Sequence, residues 1–187
     1  KYARLFGFGR PTGIDDPDES PGILPDQKWM DRRYGKNRWT EGNVLNMAVG
    51  QGEVLVTPVQ MARFAGILAT EGVVTIPHLG AAHATAGEFL TKAVFPKHRL
   101  TSIDSSTYRI IKTGMRQAVQ GNHGTARAAG ISTADVLGKT GTAQNPHGKD
   151  HAWFIGILEG TGELLAIAVL VENGGSGGGA AAPLAGK

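Results

Sequence analysis

A chain of 187 residues with 41% apolar and 19% charged residues has the length and composition of one globular domain with a sizeable core, which excludes a disordered polypeptide. A formal net charge of +3 with scattered Lys and Arg predicts no nucleic-acid partner. The lack of cysteine excludes disulfides and thiolate metal sites, and no apolar run approaches membrane-spanning length, so any anchor or export signal is expected before Lys1.

Residues 1–42 are rich in Pro, Gly and charge, with Pro11-Thr12-Gly13, Pro17 and Ser20-Pro21-Gly22 as turn signals, and are expected to be mostly irregular. Within them Arg32, Arg33, Lys36 and Arg38 interleave with Trp29, Tyr34 and Trp39. Such a cluster can bind nucleic acid or an anionic glycan, but a solvated loop with its aromatics turned inward is the commoner arrangement, and no site is assigned there. Thr57-Pro58-Val59-Gln60 reads as a capping box with proline at the first helical position, followed by a stripe of Ala62, Ala65 and Leu68 and a stop at Gly72. Residues 73–100 read as short strands and loops. A second helix is expected from Ser105 to Gln120, with Tyr108, Ile111, Met115 and Val119 inward and Gly121 as its stop. Three strands follow, at Val136 to Gln144, Ala152 to Leu158 and Leu164 to Val171, the last two joined by Glu159-Gly160-Thr161-Gly162. The sum is an α+β domain, an antiparallel meander with flanking helices, without internal repeats.

The first of those strands carries the most chemistry. Val136 to Gln144 contains Lys139-Thr140-Gly141-Thr142, and the alternation of a strand puts Thr140, Thr142 and Gln144 on one face while Gly141 lets another backbone lie close. A peptide can dock there as an added strand, with the hydroxyls of Thr140 and Thr142 holding a terminal carboxylate and Lys139 supplying positive charge. A phosphate loop is the rival reading of Gly138-Lys139-Thr140. It requires a glycine where Thr133 stands and a helix where Gly141, Asn145 and Pro146 follow. His147 and His151 are four apart, but Pro146 and Gly148 make the segment a loop, so surface histidines are expected and no metal site. Ser102-Ile103-Asp104 reads as a helix cap. Gly174-Gly175-Ser176-Gly177-Gly178-Gly179 follows a buried-looking strand and reads as a tight backbone crossing rather than a linker or phosphate cradle.

Several segments together resemble the class B penicillin-binding proteins, which cross-link bacterial peptidoglycan. These are Phe8-Gly9-Arg10-Pro11-Thr12-Gly13-Ile14-Asp15, Gly50-Gln51-Gly52, Thr57-Pro58-Val59-Gln60-Met61-Ala62, the Lys139 strand and Glu172-Asn173-Gly174-Gly175, in the family's order. The resemblance is closest to the cell-elongation type, penicillin-binding protein 2. It implies the penicillin-binding protein and serine β-lactamase fold, with residues 1–187 as the C-terminal part of one transpeptidase domain whose sheet is incomplete at both ends. It departs from the family in two respects: none of Ser20, Ser102, Ser105, Ser106, Ser132 and Ser176 has the lysine three residues on that the family's nucleophile requires, and the family's second motif, Ser-x-Asn or Ser-x-Asp, is matched by letters only at Ser102-Ile103-Asp104, far downstream of the family's order, so both motifs are expected before Lys1. The resemblance therefore implies a serine supplied from before Lys1 and an inactive fragment without it.

What the family implies for this sequence is a set of roles. Lys139 would hold the hydrogen-bond network of the site, Thr140, Gly141, Thr142 and Gln144 would bind substrate, and the Thr142 backbone N–H would complete an oxyanion hole. Substrates would be peptidoglycan stem peptides and β-lactams, with no cofactor. Further partners would be the missing N-terminal part and an elongation machinery that includes a membrane glycosyltransferase, on the periplasmic face of the inner membrane. A carboxypeptidase or β-lactamase-type hydrolase on the same fold, and a noncatalytic scaffold lacking the serine, remain alternatives.

Overall fold

The computed structural model describes residues 1–80, 82–83, 91–92, 94–160 and 162–187. In chain order the elements are α1 (Tyr2–Leu5), α2 (Gln27–Tyr34), α3 (Glu41–Ala48), α4 (Pro58–Ala69), β1 (Val73–Thr75), β2 (Ala82–His83), β3 (Thr91–Lys92) and β4 (Lys97–Arg99). They continue with α5 (Ser105–Gln120), a 3-10 turn (Arg127–Ala129), β5 (Asp135–Ala143), β6 (His151–Glu159), β7 (Leu165–Val171), a π turn (Gly177–Ala181) and α6 (Ala182–Ala185).

The three expected strands form an antiparallel sheet in the order β5-β6-β7, and two short antiparallel pairs, β1 with β4 and β2 with β3, lie outside it. The register of the main sheet runs from Asp135↔Glu159 to Ala143↔His151 and from Ala152↔Val171 to Leu158↔Leu165. Alternation then divides the core in two. Leu137 and Ile157 face α4 and α5, where Ile67, Leu68, Tyr108 and Met115 are buried. Val136, Ala152 and Phe154 face the other way, against Val119, Ala126, Ala129, Ala181 and Ala182. Each buried Leu or Ile contributes roughly 1.5–3 kcal/mol. The two faces together make a sheet layered between helices on one side and short C-terminal turns on the other.

The helix signals act as their chemistry requires. Thr57 Oγ1 accepts from the Gln60 N–H at 3.2 Å while Gln60 Oε1 accepts from the Thr57 N–H at 3.0 Å, with Pro58 opening α4. α4 ends at Ala69, and the Gly72 N–H, reached through positive φ at Glu71 and Gly72, bonds Ile67 O. Asp104 caps α5 by accepting from the Ser106 N–H at 2.7 Å, the role expected of Ser102-Ile103-Asp104. Gly160 and Gly162 turn β6 into β7 with φ of +90° and +86°; Thr161 lies outside the described residues.

Residues 1–42 are mostly irregular, as expected, but Asp26 Oδ1 accepts from the Trp29 N–H at 2.9 Å and starts α2 within them. The basic cluster therefore sits on a helix and the turn after it; Arg32, Arg33, Lys36 and Arg38 are exposed while Trp29, Tyr34 and Trp39 are half-buried. Trp39 Nε1 donates to Asp31 Oδ1 at 2.8 Å. A further helix, α3, begins before Thr57, its Thr40 N–H and hydroxyl both donating to Asn43 Oδ1. Finally, Ile111 is 37% exposed rather than inward, since it lies on the flank of α5 at the rim of a cavity of about 360 Å³ lined also by Tyr2, Phe6, Thr107 and Tyr108.

Candidate functional site

β5 enters the core at Val136, Leu137 and Gly138 and leaves it at Lys139, so the Lys-Thr-Gly-Thr segment is the part of the strand that reaches the surface. Two glycines set its seat. Phe154 is fully buried across the strand pair, and a Cβ on Gly138 would lie 2.3 Å from its Cζ, one on Gly156 2.6 Å from its Cε1. The chain after β7 then crosses over Gly141. A Cβ on Gly177 would come within 2.4 Å of Gly141 O and 2.3 Å of Trp153 O, so the expected tight crossing is real, and the backbone close to Gly141 is this chain's own.

Among the described residues β5 has no strand neighbour beyond β6. In an antiparallel ladder the N–H and C=O of successive residues point to opposite edges. Lys139 Nζ donates to Thr140 O at 2.6 Å and Gln51 Nε2 donates to Thr142 O at 2.9 Å. Carbonyls met by side chains in this way face the outer edge, and the N–H groups of Thr140 and Thr142 face it with them. The edge thus offers a run of main-chain donors and acceptors beside an exposed ammonium.

The hydroxyls lie on the sheet face opposite α4 and α5. Thr140 Oγ1 shares a hydrogen bond of 2.9 Å with Thr125 Oγ1, and Thr142 Oγ1 accepts from the Gly177 N–H at 3.4 Å. Gln144 falls one residue past β5, and its N–H donates to Gln51 Oε1 at 3.3 Å. Lys139, Thr140, Gly141 and Thr142 are therefore brought together on one edge, with the ammonium on the edge itself and the hydroxyls to one side. Two neighbours, Gln51 and Thr125, were not singled out for contact with this strand. Gln51 stands in the Gly50-Gln51-Gly52 segment of the family resemblance, between two glycines, and nothing local in the sequence ties it to this strand.

The histidine pair resolves into separate surroundings. His151 Nδ1 accepts from the Asn173 N–H at 3.0 Å at the start of β6, while the His147 N–H donates to Asn145 Oδ1 in an exposed turn. Among the described residues no group of three His, Asp or Glu side chains is arranged to hold a metal ion, and no helix is long and apolar enough to cross a membrane.

The model of the penicillin binding protein transpeptidase domain matches residues 1–187. The chain belongs to the penicillin-binding protein transpeptidase family. The peptidoglycan D,D-transpeptidase MrdA of Haemophilus influenzae is 34% identical, over 100% of this chain and 31% of its own length. The MrdA of Escherichia coli K12 is 30% identical over 92% of this chain and 30% of its own length. Among solved structures, penicillin-binding protein 2 of Pseudomonas aeruginosa, in complex with WCK 5153, superposes with a TM-score of 0.79 at 35% identity, covering 98% of this chain and 40% of that one. The complex of penicillin-binding protein 2 with MreC from Helicobacter pylori gives 0.78 at 31%, covering 97% and 33%. These similarities carry the penicillin-binding protein fold and the resemblance to its type 2 members. The chain spans about a third of the length of the curated relatives it matches.

Proposed function

We propose that residues 1–187 are the C-terminal portion of one transpeptidase domain and supply the substrate-binding strand of a peptidoglycan D,D-transpeptidase. The observation that carries this reading is the outer edge of β5, where main-chain groups of Thr140 and Thr142, two hydroxyls and the Lys139 ammonium converge in a chain of this family. A stem peptide adds to that edge as a strand, its terminal carboxylate held by the hydroxyls of Thr140 and Thr142 near Lys139. Gly141 keeps the strand narrow between the two threonines, and Gln144 lies just past its end with its N–H on Gln51. A serine from outside these residues attacks the penultimate D-alanyl carbonyl, and the Thr142 N–H stabilises the oxyanion. The C–N bond breaks, terminal D-alanine departs with a proton, and the acyl-enzyme is taken by an amine of a neighbouring strand, which regenerates the serine hydroxyl. A β-lactam is held at the acyl stage. The site works outside the cytoplasm, beside an elongation machinery that includes a membrane glycosyltransferase.

The test is acylation of the full-length protein by labelled penicillin, followed by intact mass. One adduct is expected on the full-length protein and none on residues 1–187 alone, whose serines lack the activating lysine. Thr140→Val is expected to slow acylation by about 3 kcal/mol, roughly two decades, with the fold intact. Lys139→Ala is expected to be at least as damaging. Unchanged acylation kinetics in both variants would overturn these roles, and an adduct on residues 1–187 alone would overturn the assignment of the nucleophile.

A further inference from the structure

The Gln51 carboxamide makes two hydrogen bonds at the end of β5, one to Thr142 and one to Gln144 just past it, and neither is explained by the chemistry above. Nε2 donates to Thr142 O at 2.9 Å, and Oε1 accepts from the Gln144 N–H at 3.3 Å. A side-chain amide that gives to one residue and takes from the residue two further on does what the N–H and C=O of one residue in a parallel neighbouring strand do. Its presentation is built: Gly50 and Gly52 on either side have φ of +79° and +66°, and the Gln51 N–H is anchored to Asn46 O at 2.9 Å. A Cβ on Gly50 would meet nothing within 4 Å, so glycine is there for backbone conformation and not for space.

We propose that Gln51 is a positioning residue that ends the substrate strand at Thr142, and so selects peptides whose main chain stops or turns away before reaching Gln144. The inference rests on the proposed addition of a peptide to the β5 edge. With its carboxyl terminus at Lys139 and Thr140, the added strand runs antiparallel to β5 and its N-terminal side advances toward Gln144. Opposite Thr142 the peptide exchanges both hydrogen bonds, because a carbonyl oxygen has two lone pairs and Thr142 O can serve Gln51 and substrate together. Opposite Gln144 it cannot. An amide N–H has one hydrogen, and Gln51 Oε1 holds it. A longer strand must either displace the carboxamide or leave the edge.

The experiment uses the full-length protein and two donors, N-acetyl-D-alanyl-D-alanine, which reaches Thr142, and the same peptide extended at its N-terminus by two α-linked L-residues, which reaches Gln144. The readout is the ratio of kcat/KM, long over short, from D-alanine release. In Gln51→Met, which keeps the length of the side chain and loses both bonds, the ratio is expected to rise about tenfold over wild type. Gln51→Glu retains an acceptor for the Gln144 N–H and is expected to stay within threefold of the wild-type ratio. A purely structural role would lower both donors together and leave the ratio unmoved in Gln51→Met, and that result overturns the proposal. So does a ratio that rises equally in both variants. Penicillin uptake and thermal melting of each variant report folding separately. A wild type that takes up no penicillin overturns the underlying reading, and this inference with it.

Discussion

Between Phe8 and Asp26 there is no helix or strand longer than one bridge, Ile23 with Leu55, and order comes from polar side chains reaching the backbone. Glu19 Oε1 accepts from the N–H and hydroxyl of Thr12, both at 2.6 Å, and Oε2 from the Gly13 N–H. Buried Gln60 donates to Arg10 O and Pro21 O at 2.9 Å, and Asp15 accepts from the N–H groups of Leu79 and Gly80. The β5-β6-β7 meander is held the other way, by a ladder and by apolar wedges such as Phe154 between two glycines. The arm is a set of clamps on a loop and the meander is a packed layer. A clamp concentrates its energy in a few replaceable atoms, while a layer spreads it over area.

The sharpest way to break the layer is Phe154→Ala. With the side chain fully buried, the loss is expected to be about 4 kcal/mol by urea unfolding, and Gly138→Ala is expected to destabilise as well, because its methyl would occupy the ring's place. A cost below about 1 kcal/mol for Phe154→Ala would show that the meander does not depend on that wedge. For the arm, Gln60→Leu removes partners from the Arg10 and Pro21 carbonyls and the Thr57 N–H, at an expected cost of about 2–3 kcal/mol. Limited proteolysis between Phe8 and Asp26 is expected to rise in step, and cleavage confined to other loops would contradict the clamp.

The Glu19 clamp gives the comparison a pH signature. Burial works against its charge, but the Thr12 hydroxyl and the N–H groups of Thr12, Gly13 and Ile14 outweigh it and hold its pKa below the ordinary 4.5. A carboxylate depressed in the folded state contributes stability above its unfolded pKa and loses it as pH falls through the folded value. Amide-exchange protection in residues 8–26, taken relative to the intrinsic rate at each pH, is therefore expected to fall below about pH 4.5 before protection in the meander does, and Glu19→Gln is expected to weaken that pH dependence, leaving the part carried by Asp15 through Leu79 and Gly80. Simultaneous loosening of both regions would erase the distinction. The smallest effect is expected at His147, which is exposed: His147→Ala should change stability by less than about 0.5 kcal/mol and leave penicillin acylation untouched, with or without added zinc. A metal-dependent loss there would overturn the surface reading.

The elements that were legible in the sequence are those whose causes lie within a turn or two of chain. Thr57 to Gln60 states its own cap, Asp104 caps α5, and the alternation around Lys139 and the apolar run after His151 specify strands that the structure places within a residue of expectation. Even α2 and α3 carried readable caps in Asp26 and Thr40, but their helices are eight residues each and lack a strong apolar stripe; Val44, Leu45 and Val49 are exposed. Ile111 fitted the spacing of the inward face of α5 and still sits at its edge, because periodicity marks a stripe and not how much of it a neighbour covers.

By itself, then, the sequence determined an α+β chain with a Lys-Thr-Gly-Thr strand, an antiparallel meander and a final glycine-rich crossing, since hydrogen-bonding propensity, side-chain alternation and positive-φ glycine are local properties. Only the tertiary structure decided that Gly177 lies on Gly141, that Thr125 meets Thr140, and that Gln51 takes the strand edge 91 residues further along the chain. Such contacts follow from the packing of whole layers, which sets which main-chain groups of β5 are left facing outward and which side chains are near enough to answer them.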